Sequence, residues 1–116
     1  MIILAMAVAL QAAAPQWRPL GTSSTGLVIS WDNAGPDRNG DSNWILIRTE
    51  RPSPEPGGYA SSISRVELRC GDGRARVVET VNYRTDGSRG RTDTAPQPFD
   101  PIPAGSMMET VQRAIC

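Results

Sequence analysis

The fold is decided by the stretch SISRVELRCGDGRARVVETVNY, residues 62–83. Its first half alternates apolar and charged residues. The apolar set is Val66, Leu68 and Cys70, and the charged set is Arg65, Glu67 and Arg69. The second half alternates again from Ala75 to Tyr83, and Gly71 to Gly73 between the halves favour a tight turn. Because successive side chains of a strand point to opposite faces of a sheet, the pattern predicts a β-hairpin with Cys70 on the core side.

Shorter strands are predicted before this hairpin. Residues 17–23 and 25–31 have strand-like patterns, and residues 43–50 follow a turn signal at Asn39 and Gly40. Residues 44–47 are apolar on both faces, which indicates a strand that is central in the sheet or covered by the helix. Residues 51–60 hold three prolines and two glycines and predict a surface loop.

The C-terminal part predicts a helix. Residues 85–94 are polar and predict a mobile segment, while the prolines of residues 96–103 predict an extended connector. Ser106 and Glu109 have the spacing of a capping box, and one helical stripe follows, made of Met107 or Met108, Val111 and Ile115. We therefore expect an α+β fold, an antiparallel sheet of five to six strands with one C-terminal helix packed on one face.

The N-terminal segment has the order of a leader peptide. An apolar run at residues 1–10 precedes small residues suited to signal-peptidase cleavage. We expect a signal peptide over residues 1–14, a single domain over residues 15–116, and a location in the periplasm or at the outer cell surface. The run is about half the twenty or so residues that a membrane-spanning helix needs, so we expect no stable membrane span. A buried N-terminal strand or helix is the alternative.

The chain has two cysteines, Cys70 and Cys116. Two thiols in an oxidising compartment are usually paired, so export predicts a disulfide between them. Because Cys70 points to the apolar face of its strand and Cys116 ends the helix, this bond would lay the helical stripe on the sheet.

The composition excludes several functions. The chain has no histidine, which removes Ser-His-Asp and Cys-His catalysis and histidine-ligated zinc or haem. Twelve acidic residues balance twelve basic ones, so no net charge favours nucleic acid. We expect a non-catalytic protein without cofactor or metal site, and no nucleic-acid partner.

The candidate binding residues are four arginines and a tryptophan, namely Arg65, Arg69, Arg74, Arg76 and Trp44. The arginines lie on the outward face of the predicted hairpin, where guanidinium groups can hold carboxylate, sulfate or phosphate in bidentate fashion. The alternative, and the favoured one, is a solvated strand face on which Glu67 and Glu79 are cross-strand partners. Trp17, Trp31 and Trp44 are candidates for a stacking platform, with core packing as the more common role.

Single residues along the chain resemble a known family: Trp17, Leu20, Ser30-Trp31-Asp32, Trp44, Ser62, Cys70, Arg74, Arg76, Tyr83, Gly87, the segment 98–103, Gly105-Ser106 and Cys116. In this order they are similar to the surface-adhesin protein E family of Gram-negative bacteria, over residues 17–116. The resemblance implies an antiparallel sheet with a C-terminal helix held on its concave side by the Cys70–Cys116 disulfide. It also implies adhesion to host matrix proteins and an association with haem. In that family a tryptophan usually stands where this chain has Phe99.

Two functions follow as hypotheses. The first is an exported, non-catalytic envelope or surface protein, adhesin-like, that binds an envelope or extracellular protein or polymer. The alternative is a periplasmic carrier of a small ligand, haem or a cell-wall fragment, held by Trp and Arg residues around the crevice between helix and sheet.

Overall fold

The computed structural model describes residues 14–33, 37–54 and 58–116, and of residues 37–39 only the backbone. The predicted leader lies outside the described residues except for Ala14. The elements are β1 (Trp17–Thr22), β2 (Val28–Asp32), β3 (Asp37–Asn39), β4 (Ser42–Glu50), β5 (Tyr59–Arg69), β6 (Arg74–Arg84), β7 (Arg89–Asp93), β8 (Asp100–Pro101) and α1 (Met107–Ile115).

The strands form one antiparallel sheet. Its order is β1-β2-β4-β5-β6-β7, with short β3 on β4 and short β8 on β6. The predicted class, an antiparallel sheet with one C-terminal helix and a disulfide, is confirmed. β4 is central as predicted, with β2 paired along one edge and β5 along most of the other.

The hairpin of β5 and β6 is confirmed, and it contains an irregularity. Gly73 donates its N–H to the carbonyl of Arg69 and has φ +65°, a left-handed conformation that glycine adopts without strain. A β-bulge shifts the register between Arg65 and Val66, so that Arg65 lies opposite Glu79 and Val66 opposite Val77. Such a bulge re-aims the side chains that follow it.

The prediction of a mobile segment at residues 85–94 was wrong, because this segment contains β7 paired with β6. The connecting turn is closed by hydrogen bonds from Gly87 N to Arg84 O and from Arg84 N to Ser88 O. The Asp86 carboxylate accepts the N–H of Ser88. The polar composition of β7 is therefore that of an exposed edge strand, in which charged side chains discourage pairing with other chains.

The connector is extended as predicted and runs along the edge of β6. Gln97 donates its N–H to Val77 O and Ile102 to Gly73 O, and between them β8 pairs with the first residues of β6. The edge of β6 is thus shared by β7 and the connector.

One stripe of α1 covers the sheet. Val111 is fully buried and Ile115 is buried, and both pack in a core with Trp31, Ile45 and Val66. Partly buried residues around this core are Leu20, Ile47, Ala75, Val77 and Met108. The predicted stripe is confirmed.

The start of α1 matches the predicted serine cap. The Ser106 hydroxyl accepts the N–H of Glu109 at 3.2 Å. The Glu109 carboxylate accepts the N–H of Gly105 at 3.2 Å, one residue earlier than a capping box requires. The reason is that the Ser106 N–H already donates to the carbonyl of Pro103.

The disulfide between Cys70 and Cys116 is confirmed. It joins the residue after β5 to the residue after α1, with Cα atoms 5.6 Å apart. Buried Asn43 lies beneath it and donates from Nδ2 to the Cys70 sulfur at 3.2 Å. The bond fixes the sheet face that the helix covers.

Candidate functional site

The face of the sheet opposite α1 carries the predicted binding residues. Ile45 and Val66 point to the helix side, so alternation along β4, β5 and β6 puts their sequence neighbours on the other side. We call this surface the open face; its central residues are Trp44, Leu46, Arg48, Ile63, Arg65, Glu67, Arg69, Arg74, Arg76 and Glu79. The four candidate arginines and Trp44 therefore share one surface.

Arginine–aromatic stacks organise the centre of the open face. The guanidinium of Arg65 lies 4.5 Å from the ring centroid of Trp44. Those of Arg69 and Arg76 lie 4.0 and 4.4 Å from the ring centroid of Phe99. These distances are within the range of cation–π attraction.

Phe99 was missed as a site residue by sequence reasoning. It sits in a connector whose position is set by pairing with β6, a distant part of the chain. The sequence signal for it is that Phe99 is the one phenylalanine of the chain and lies between Pro98 and Pro101 in the sequence.

Glu67 holds the Arg69–Phe99–Arg76 stack through Arg76. Its carboxylate accepts from Arg76 Nε at 2.9 Å and from the Ser42 hydroxyl at 2.7 Å. Only 7% of Glu67 is exposed, although the strand pattern predicts a solvated side chain. Burial alone would raise the pKa of Glu67, but the hydrogen bonds from Ser42 and Arg76 and the charges of Arg76 and Arg69 outweigh it and lower the pKa.

The charges of the open face are largely paired. Arg76 forms an ion pair with Glu67 at 2.8 Å, and Arg69 holds the Asp72 carboxylate through Nε and Nη2. Arg65 lies opposite Glu79 in register. The structure thus brings the four arginines to one face, but with two of them holding carboxylates it does not present a vacant four-arginine anion clamp.

The three tryptophans have different surroundings. Trp31 is buried in the core, 6% exposed, and is not part of a surface platform. Trp44 lies under Arg65 on the open face. Trp17 lies at the far end of the same face, with the Arg48 guanidinium 5.6 Å from its ring centroid.

Two concavities lie near these residues. The first, which we call the Trp17 cleft, is a shallow cleft of about 320 Å³ lined by Trp17, Arg48, Ser61, Ile63, Tyr83, Arg84, Thr85 and Gly87. The second is a crevice of about 140 Å³ between α1 and the connector, where Met108 faces Val66, Val77 and Pro98.

Comparison with known families identifies the chain. A family model described as Surface-adhesin protein E matches residues 17–116. The chain belongs to the surface-adhesin protein E family. The predicted resemblance is thus confirmed. Membership in the adhesin E family suggests a surface adhesin-like role with extracellular partners, suggests a cell-surface or exported location, and points to a non-enzymatic protein. Comparisons with curated proteins and with solved structures found no match.

Two further observations concern the described part of this adhesin E domain. Among residues 14–33, 37–54 and 58–116, no helix is long and apolar enough to cross a membrane. Within the same ranges, no group of three acidic or cysteine side chains is placed to hold a metal ion.

Proposed function

We propose that the chain is an exported, non-catalytic binding module that attaches through its open face to a protein or polymer of the envelope or the cell exterior. The single observation that carries the proposal is the clustering on that face of the Arg65–Trp44 stack and the Arg69–Phe99–Arg76 stack.

The residue types of these stacks favour a protein-binding surface. Arginine and aromatic residues are enriched at interfaces and dominate their binding energy, whereas lysine is depleted there. Here the side chains are held before any partner arrives, since Arg76 is fixed by Glu67 and Arg69 by Asp72. Preorganised side chains lose less conformational entropy on binding, which strengthens the complex.

The test uses the full chain immobilised on beads and exposed to envelope and extracellular-matrix extracts. We expect a reproducible partner that is retained by the control Arg91→Gln and captured about tenfold less by Trp44→Ala and by Arg65→Gln. Arg91 is the matched control because it lies on the exposed edge strand β7, away from the stacks. A partner captured equally by all variants, or no partner in repeated trials, would contradict the proposal.

The location is tested separately by fractionating the native host. We expect the protein in the outer-surface or periplasmic fraction, with the chain starting near residue 15 and Cys70 linked to Cys116. A cytosolic chain that begins at Met1 would contradict the export part of the proposal.

The carrier hypothesis has less support from the geometry. Ligand pockets usually have about 300–1,000 Å³. The crevice beside α1 has about 140 Å³. Trp44 faces away from this crevice, because it lies on the open face.

A further inference from the structure

The Trp17 cleft lies on the open face but apart from the arginine–aromatic stacks. Arg48, Ile63 and Tyr83 come from β4, β5 and β6, and Trp17 comes from β1. Arg48 lies opposite Ser30 of β2, and Trp17 lies opposite Asp32, two residues further along the same strand. The Arg48 guanidinium is 5.6 Å from the centroid of the Trp17 ring. Six of the eight lining residues therefore belong to sheet strands, which gives these walls fixed positions, and Thr85 and Gly87 belong to the turn between β6 and β7.

The lining combines an apolar platform with a polar rim. Trp17, Tyr83 and Ile63 supply flat apolar surface, and Ser61 and Thr85 supply hydroxyl groups. A sugar ring also has an apolar part and a polar part. The C–H groups of its flat face pack on aromatic rings, and the hydroxyl groups at its edge need hydrogen-bond partners. At about 320 Å³ the cleft is at the small end of ligand sites, the size suited to a single ring.

The charged groups that line the cleft are both guanidinium groups. Arg48 forms an ion pair with Glu50 at 3.0 Å. Arg84 donates one hydrogen bond from Nη1 to the carbonyl of Arg89, which leaves further N–H donors on the same guanidinium. Asp86 in the next turn accepts the N–H of Ser88. One guanidinium is thus placed to hold a carboxylate at the edge of the cleft.

We propose that the Trp17 cleft binds a carboxylated pyranose unit of an acidic polysaccharide. The ring packs on Trp17 and Tyr83, the carboxylate pairs with Arg84, and the ring hydroxyls exchange hydrogen bonds with Ser61 and Arg48. This inference does not rest on the proposed function, because the cleft and the Arg65–Trp44 stack are separate groups of residues.

The experiment follows the three tryptophan indole N–H signals of the ¹⁵N-labelled full chain during titration with trigalacturonate. We expect the Trp17 signal to shift, the Trp44 signal to stay in place, and a dissociation constant in the millimolar range or below. Arg84→Gln should weaken binding about tenfold, because a charge-assisted hydrogen bond is lost. Arg89→Gln removes the same charge from the same hairpin outside the cleft lining and should change binding by about twofold at most.

Four results would overturn the proposal. The first two are no shift of the Trp17 signal with millimolar trigalacturonate, and an equal shift with a neutral galactose trisaccharide. The third is a shift of the Trp17 signal when acetyl-tryptophan amide is added and the sugar is left out. The fourth is an equal loss of trigalacturonate affinity in Arg84→Gln and Arg89→Gln. A sugar response at Trp17 together with loss of the extract partner in Trp44→Ala would support both proposals independently. Failure of one assay leaves the other proposal standing.

Discussion

At the scale of single residues, the open face depends most on Glu67. It is a buried carboxylate on a face that the strand pattern assigns to solvent, and it is held by Ser42 and Arg76. Such a group is stable only while its partners are present, because an unpaired charge in a site poor in water is costly. Glu67 therefore positions Arg76 under Phe99 as well as neutralising it.

The substitution Glu67→Gln tests this role. It keeps the shape of the side chain but removes the charge that pairs with Arg76, so we expect the free energy of unfolding to fall by about 1–3 kcal/mol. Urea denaturation followed by tryptophan fluorescence measures it. Glu50→Gln is the control, since its pair with Arg48 is more exposed, and it should cost less than about 1 kcal/mol. Equal small losses of unfolding free energy in Glu67→Gln and Glu50→Gln would contradict the role given to Glu67.

The pH dependence of stability follows from the same residue. The pKa of Glu67 is lowered in the folded state, so near the ordinary glutamate pKa the unfolded chain binds more protons than the folded one. The stability that Glu67 contributes is therefore fully present above about pH 4.3 and is lost as the pH falls through the folded-state pKa.

We expect the parent protein to lose stability below about pH 4.3 more steeply than Glu67→Gln does. Urea midpoints measured from neutral to acid pH give the comparison. The pKa of exposed Asp86 is also lowered, mainly by hydrogen bonds from Ser88. Asp86 is present in both proteins, so its contribution to the pH dependence cancels when the two curves are compared. Parallel curves would contradict the prediction.

At the scale of elements, the helix cap offers a local test. Ser106→Ala removes the hydroxyl that accepts the Glu109 N–H and should lower the free energy of unfolding by about 1 kcal/mol. Thr110→Ala is the matched control, because Thr110 is exposed within α1 and alanine has the higher helix propensity. Thermal unfolding followed by circular dichroism measures both. A destabilised Thr110→Ala with an unchanged Ser106→Ala would reverse the expectation.

Elements with a clear apolar–polar period were predicted from the sequence, whereas β7 was not. The β5–β6 hairpin and α1 each alternate apolar and polar residues with the period of their structure, and both were predicted. β7 has the sequence RGRTD and buries no apolar side chain, so periodicity gives no signal for it. Its one local mark is the turn pair Asp86-Gly87, which favours a hairpin.

The candidate site shows the same limit. The side of the sheet on which the arginines lie follows from alternation, and the prediction was right. The burial of Glu67 and the stacking of Phe99 depend instead on contacts between β4, β5, β6 and the connector. Such long-range packing has no trace in the local pattern of a single sequence.

At the scale of the whole molecule, the disulfide links the two layers. Closing the span of 46 residues between Cys70 and Cys116 should stabilise the fold by about 4 kcal/mol in the loop-entropy description. We expect the double variant Cys70→Ser, Cys116→Ser to lose stability of about this size, as measured by urea denaturation. Reductant should destabilise the parent protein and leave the double variant unchanged. A parent protein insensitive to reductant under conditions that break the bond would contradict the prediction.

The same bond also sets how the molecule would respond to tension. If the chain is pulled between residues 17 and 116, force passes from Cys70 directly to Cys116, and the 46-residue span between them carries no load. At about 3.4 Å per extended residue, the span between the cysteines has a contour length of roughly 160 Å, and the disulfide prevents this length from being extended. β6, β7 and α1 all lie inside this span. In a protein that is anchored against flow, these elements would therefore not be stretched, even after β1 and β2 had unfolded.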